Sequence, residues 1–204
     1  MILCEDTRVT KKLLDHYQIK TSTLSYHQHS KLQKVEYIIE LLNEGKNLAL
    51  VSDAGTPGIS DPGNKLVAEI IKSADVRRLQ VKVVPVPGPS AVTAVASVAG
   101  IAMDRFLFLG FPPTKKKRKK FFEEVVNSKY PVIFYESPYR IIKTLNELNI
   151  LYTKYKIQNT NFVVCRELTK KFETIYRGTI EQVIKQLEKD PIKGEFVVVV
   201  EGKK

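Results

Sequence analysis

The residues best suited to chemistry stand in three loops, each directly after a short apolar run. The first is Ser52-Asp53-Ala54-Gly55-Thr56-Pro57-Gly58-Ile59-Ser60-Asp61-Pro62-Gly63. Its Asp53, at the end of the preceding run, can accept hydrogen bonds from a ligand ammonium or hydroxyl. Its glycines and prolines specify a tight loop whose backbone can approach a ligand. Asp61 suits the cap of a helix beginning at Pro62. The second loop, Val86-Pro87-Gly88-Pro89-Ser90-Ala91, is a Pro-Gly-Pro turn entering a helix. Its free N–H groups suit a polar or anionic group. In the third, Phe134-Tyr135-Glu136-Ser137-Pro138-Tyr139-Arg140, an apolar run meets a polar cluster with two aromatics and an arginine. Tyr135, Glu136 and Arg140 are open to a ligand there, and Ser137 suits a helix cap. The chain has no GxGxxG fingerprint, Walker A loop, HExxH, CxxC pair or GxSxG elbow, which disfavours metal hydrolases and α/β-hydrolases.

Alternating strands and helices must position these loops. Segments 47–52, 81–86, 106–109, 131–135, 161–165 and 195–200 read as buried strands. Their near-continuous apolar character predicts a sheet covered on both faces. Between them, 32–44 gathers Val35, Ile38, Ile39 and Leu42 on one helical face. Residues 138–148 follow a first-turn proline. Residues 179–188 begin with Thr179 and Gln182 at capping-box spacing. The fold class is α/β. A domain boundary is expected near Met103–Arg105, giving domains 1–104 and 105–204, with GFPPTKKKRKK as a loop after the next strand.

Within 204 residues, 33 Lys and Arg against 22 Asp and Glu leave a net charge of +11. That excess points to an anionic partner, nucleic acid first. The compositional bias of an AT-rich genome accounts for scattered lysines nearly as well. The run Lys115, Lys116, Lys117, Arg118, Lys119, Lys120 is harder to dismiss, because adjacent cations repel unless solvated or set against phosphate. No run is long enough to cross a bilayer, and the start lacks the features of a signal peptide. Cys4 and Cys165 fit neither a metal site nor a disulfide framework, which points to the cytoplasm.

In order, CEDTR, SDAGTP, VPGPSA, DRFLFLGFPP, FYESPYR, RELTKKFE and KGEFVVVVEG resemble the small-subunit rRNA cytidine 2′-O-methyltransferase branch of the tetrapyrrole (corrin/porphyrin) methylases. The resemblance runs along essentially the whole chain. It implies a two-domain α/β fold with S-adenosyl-L-methionine in the cleft between domains. It further implies a homodimer and methyl transfer to a cytidine ribose of 16S rRNA in the small ribosomal subunit. By position, Asp53, Thr56, Ser90, Ala91, Glu136 and Leu168 match the cofactor side. Glu5, Asp6, Thr7 and Arg8 match a substrate-side motif, although Asp6 or Thr7 equally suits a helix cap. Arg8, Lys115, Lys116, Lys117, Arg118, Arg140 and Arg166 are the expected RNA contacts, and Glu167 and Lys170 share the loop with Arg166.

The catalytic base stays open among Glu5, His27 and Glu136. His27 and His29 lack a third ligand, so no metal is expected. Family chains begin with a strand, a Pro-Ile-Gly-Asn loop and a helix ahead of EDTR, and end in a helical tail; the sequence starts and stops inside those limits. Two alternatives stand beside the rRNA reading. One is methylation of a tetrapyrrole or corrin ring. The other is RNA binding by a truncated, non-catalytic paralogue.

Overall fold

A computed structural model describes residues 1–27, 30, 32–77 and 81–203, with the backbone alone at 74–77. By contact density the chain forms two compact units, Met1–Pro89 and Ser90–Lys204.

The first unit is a three-stranded parallel sheet, β1 (Ile2–Cys4) lying between β2 (Thr23–Ser25) and β3 (Ala49–Val51). Helix α1 (Thr7–His16) follows β1, α2 (Leu32–Asn43) follows β2, and α3 (Asn64–Arg77) follows β3. The face read from 32–44 is the one that packs: Ile38 and Ile39 are buried, and Val35 and Leu42 lie against a small core of Leu3, Tyr26, Ile38 and Leu66. Parallel strands need crossover connections, and α1 and α2 provide them.

One expected strand is not formed. Residues 81–86 have no ladder partner among the described residues, and Val83, Val84 and Val86 are exposed. Apolar content alone does not make a strand; its N–H and C=O groups must meet those of a neighbour.

The second unit is a five-stranded mixed sheet in the order β4 (Leu107–Phe108), β5 (Val132–Glu136), β8 (Phe196–Val200), β6 (Phe162–Arg166), β7 (Thr174–Gly178). β8 runs antiparallel to both β5 and β6, which therefore point the same way. The run Phe196-Val197-Val198-Val199-Val200 is buried at every position. Its alternate residues serve two cores. Val198 and Val200 join Val132, Phe134, Phe162 and Val164 under α5 (Arg118–Asn127), α6 (Ile141–Lys154) and α7 (Ile180–Leu187). Val197 and Val199 join Ile133, Val163 and Cys165 beneath α4 (Ala91–Val98). A strand covered on both faces loses the polar half of its alternation, and β-branched valine suits the pleated surface. Helix α4, on the N-terminal side of the boundary suggested by loop composition, thus packs within the second unit.

Helix α7 starts as its sequence requires: Thr179 and Gln182 form a reciprocal capping box. Helix α6 starts later than its proline suggested. Ser137 O accepts from the N–H groups of Arg140 and Ile141, so 138–140 is a turn and the helix begins at Ile141.

Candidate active site

In the first unit the register sets Cys4 level with Ser25 on one side and Val51 on the other. The three parallel strands therefore release Glu5–Asp6, Tyr26–His27 and Ser52–Asp53 at one sheet edge, the carboxyl end where α/β proteins bind ligands. Asp6 is the N-cap of α1 and accepts from Arg8 N at 2.8 Å. The Arg8 guanidinium also grips it, Nε to Oδ1 at 3.0 Å and Nη2 to Oδ2 at 2.6 Å. Those hydrogen bonds hold the Asp6 carboxyl down to about 2. The Asp6 N–H donates to Asp53 Oδ1 at 3.4 Å, joining the first and third strand ends.

The Asp53 loop is shaped by its own polar groups. Ser52 Oγ donates to the carbonyls of Ala54 and Gly55. Gly58 takes a φ of +85°, where a Cβ would lie 2.5 Å from Asn64 Oδ1, so close packing and backbone conformation both call for glycine. Thr56 Oγ1 donates to Pro89 O at 2.9 Å and ties this loop to Pro87-Gly88-Pro89. Asp53 is exposed, Glu5 half-buried and His27 exposed. His29 lies outside the described residues.

In the second unit Glu136 and Arg166 are both level with Phe196, so the ends of β5 and β6 share an edge. The loop after β4 joins them through Tyr135 N donating to Gly110 O at 2.9 Å. Glu136 is only 1% exposed. Its Oε1 accepts from Ser137 N and pairs with Arg140 Nη2, both at 2.8 Å. Its Oε2 accepts from Thr144 Oγ1 at 2.6 Å. Arg118 completes the cluster: Nε meets Glu147 Oε2 at 2.8 Å, Nη2 donates to Thr144 Oγ1 at 2.7 Å, and Nη1 donates to Pro113 O at 3.1 Å. The guanidinium also lies over the Phe122 ring at 4.7 Å.

The neighbouring loop, Arg166–Lys170, is bent through left-handed conformations at Glu167 and Thr169. Such φ values in non-glycine residues persist where surrounding contacts impose them. Here Glu167 Oε1 accepts from Glu195 N and Lys170 Nζ, while Lys170 Nζ also reaches Glu195 Oε2 at 2.7 Å. Leu168 packs half-buried against the core beneath α4.

A sequence model of the Tetrapyrrole (Corrin/Porphyrin) Methylases matches residues 1–184. The chain belongs to the tetrapyrrole methylase family. It is 42% identical over 202 residues to Ribosomal RNA small subunit methyltransferase I of Halalkalibacterium halodurans, covering 98% of this chain and 66% of that protein. The Bacillus subtilis protein of the same name is 45% identical, covering 98% of this chain and 65% of its own length. The chain thus spans about two thirds of the length of these curated relatives. Among solved structures, the fold resembles cobalt precorrin-4 methyltransferase, a cobalamin biosynthetic enzyme, with TM-score 0.64, 16% identity, and coverage of 98% of this chain and 82% of that one. It also resembles diphthine synthase, with TM-score 0.67, 12% identity, and coverage of 100% and 79%. At these identities the structural likeness speaks for the fold alone.

Within this family member, the structure gathers Glu5, His27 and Asp53 at one edge and ties Thr56 to the adjoining turn. Ser90 precedes α4 in extended conformation without a side-chain cap bond, and Ala91 opens the helix. Two of the expected site residues lie inside the second unit. Glu136, read as a cofactor ligand or base, is buried with both oxygens occupied. Arg118, read with its neighbours as an RNA contact, turns inward, 8% exposed, to balance that carboxylate. Lys115, Lys116, Lys117, Lys119 and Lys120 stay exposed. Sequence reasoning missed the inward partners Thr144 and Glu147. The available signal was their helical spacing from Arg140, which puts Thr144 one turn on and Glu147 two.

Proposed function

We propose that the chain transfers a methyl group from S-adenosylmethionine to the 2′-hydroxyl of a cytidine in 16S ribosomal RNA of the small subunit. The observation that carries this reading is the single edge formed by the CEDTR and SDAGTP strand ends, with Asp6 N donating to Asp53 Oδ1 and Thr56 holding the VPGPSA turn. The chain's 40–45% identity to proteins named Ribosomal RNA small subunit methyltransferase I supports RNA over a tetrapyrrole ring as substrate.

The residues present fit the cofactor. Asp53 offers an exposed carboxylate with one long hydrogen bond among the described residues, leaving acceptor capacity for an ammonium or hydroxyl. Gly55, also exposed, has φ +74°, and the nearest atom to a Cβ built there is Pro89 O at 3.7 Å, so its backbone is open to a close neighbour. When bound, the cofactor supplies an electrophilic methyl carbon. The chain's task is then to bring a ribose hydroxyl in line with it, and positioning accounts for much of such a rate enhancement. The hydroxyl must lose its proton as its oxygen takes the methyl. Glu5 and His27, at the ends of adjacent strands, can receive it. Exposed Lys115, Lys116 and Lys117, with Arg8, would neutralise RNA phosphates. The same reading carries a homodimer acting in the cytoplasm. No helix among the described residues is long and apolar enough to cross a membrane.

The test is calorimetric titration of the chain with S-adenosylmethionine, followed by methyl incorporation into small ribosomal subunits using labelled cofactor. Cofactor binding and label in a cytidine ribose are expected. Label in a tetrapyrrole precursor and none in RNA would move the reading to ring methylation, and RNA binding without cofactor binding would make the chain a binding protein.

A further inference from the structure

The loop after β4 and the turn after β5 are hydrogen-bonded into one surface. Arg140, paired with buried Glu136, donates from Nη1 to Pro112 O at 3.2 Å. Arg118, bound to the same cluster, donates to the next carbonyl, Pro113 O. Two arginines thus fasten successive carbonyls of Gly110–Lys117, and Pro112 itself is buried. Lys117, the N-cap of α5, closes the loop in a left-handed conformation at φ +68°.

What this scaffold presents outward is aromatic and cationic. Tyr139, on the turn that Arg140 fixes, is 96% exposed. Phe111, beside Pro112, is 50% exposed, and its other side leans on Tyr135 with ring centroids 5.3 Å apart. Lys115, Lys116 and Lys117 follow in the same loop, exposed and without an ion pair among the described residues. Leaving a tyrosine almost wholly in water on a rigid turn gains nothing for the fold. Aromatic rings beside unpaired cations are the elements that hold unstacked nucleotides, the rings receiving bases and the cations receiving phosphates.

We infer that Tyr139 and Phe111 stack on unpaired bases of the RNA, and that Glu136 is a positioning residue that fixes their surface through Arg140 and Arg118. The inference rests on the RNA reading above and adds to it that the substrate is engaged as single strand at this surface. A duplex keeps its bases stacked inside and offers these rings nothing.

The experiment is fluorescence anisotropy of the full chain with a labelled, unstructured RNA oligonucleotide and with the same strand annealed to its complement, across a salt series. Tyr139→Ala should weaken single-strand binding about tenfold with the salt slope unchanged, and Tyr139→Phe should restore it. Replacing Lys115 and Lys116 with Gln should instead flatten the slope, by about 0.7 for each phosphate left without its cation. Glu136→Gln should weaken single-strand binding and be read alongside circular dichroism to show that the chain stays folded. If wild-type chain binds the single strand and Tyr139→Ala binds it equally well, or if the duplex binds as tightly as the single strand, the stacking surface is wrong while the RNA reading survives. If wild-type chain binds neither RNA, both fall.

Discussion

Asp53 and Glu136 occupy comparable places, each where a strand opens into a polar loop, Asp53 two residues past β3 and Glu136 at the last position of β5. Asp53 faces solvent and accepts one 3.4 Å hydrogen bond among the described residues, whereas Glu136 is 1% exposed and holds a serine N–H, a threonine hydroxyl and an arginine. The contrast extends to the units around them. The first has a thin core beneath three short strands, and its polar groups stand at the rim. The second buries both faces of its central strands β5, β6 and β8 and encloses a charged cluster at the end of β5. A carboxylate at a strand end thus stands open to solvent or closed into a scaffold according to the depth of protein around it. The chemical type is the same in both.

The sharpest way to break this comparison is to remove the buried carboxylate. Glu136→Ala leaves Arg118 and Arg140 without their shared partner and should cost about 3–5 kcal/mol, the usual penalty for breaking a buried pair from one side. Urea unfolding of the whole chain measures it. A loss below about 1 kcal/mol would show that the cluster is not structural.

The mirror experiment falls on affinity. Asp53→Ala should weaken S-adenosylmethionine binding about 10- to 100-fold, the usual worth of a hydrogen bond to a charged group. Its effect on stability should stay within about 0.5 kcal/mol, as for surface substitutions generally. Calorimetry and unfolding read on one preparation separate the two. Thr56→Val should lie between these cases. It removes the bond to Pro89 O, costing about 1 kcal/mol, and frees the VPGPSA turn, so affinity should fall along with stability.

The same contrast explains what could be read from the sequence. Strands 132–136, 162–166 and 196–200 were legible because burial on both faces leaves an unbroken apolar run, and α7 because its capping box is written in two residues. The short strands β1 and β2 escaped, having too few residues to show a period, and β7 escaped because it is only partly buried and has no unbroken apolar run. Residues 81–86 misled for the opposite reason: the apolar run is there, but no neighbour pairs with it among the described residues. At the candidate site, Asp53 and Thr56 drew notice because they sit in a loop dense with glycine and proline. The inward turn of Arg118 was not, since five lysines surround it and only tertiary partners from α6 distinguish it from them.

The smallest expected effect concerns Asp6. Its carboxyl is held at about 2 by Arg8, whose guanidinium stands in solvent beside the half-buried Asp6 at the first unit's edge. Arg8→Ala should let the Asp6 titration, followed by NMR, rise toward the ordinary carboxylate range. A carboxyl depressed on folding contributes stability above its unfolded pKa, and that contribution fades as pH falls through the folded value. The window therefore lies in strong acid. Near neutrality the melting temperature should not move, because an exposed pair is screened by water. If Arg8→Ala lowered it as Glu136→Ala does, the first edge would be as much scaffold as the second. An unchanged melting temperature with weakened RNA binding would put Arg8 among the groups that face the substrate.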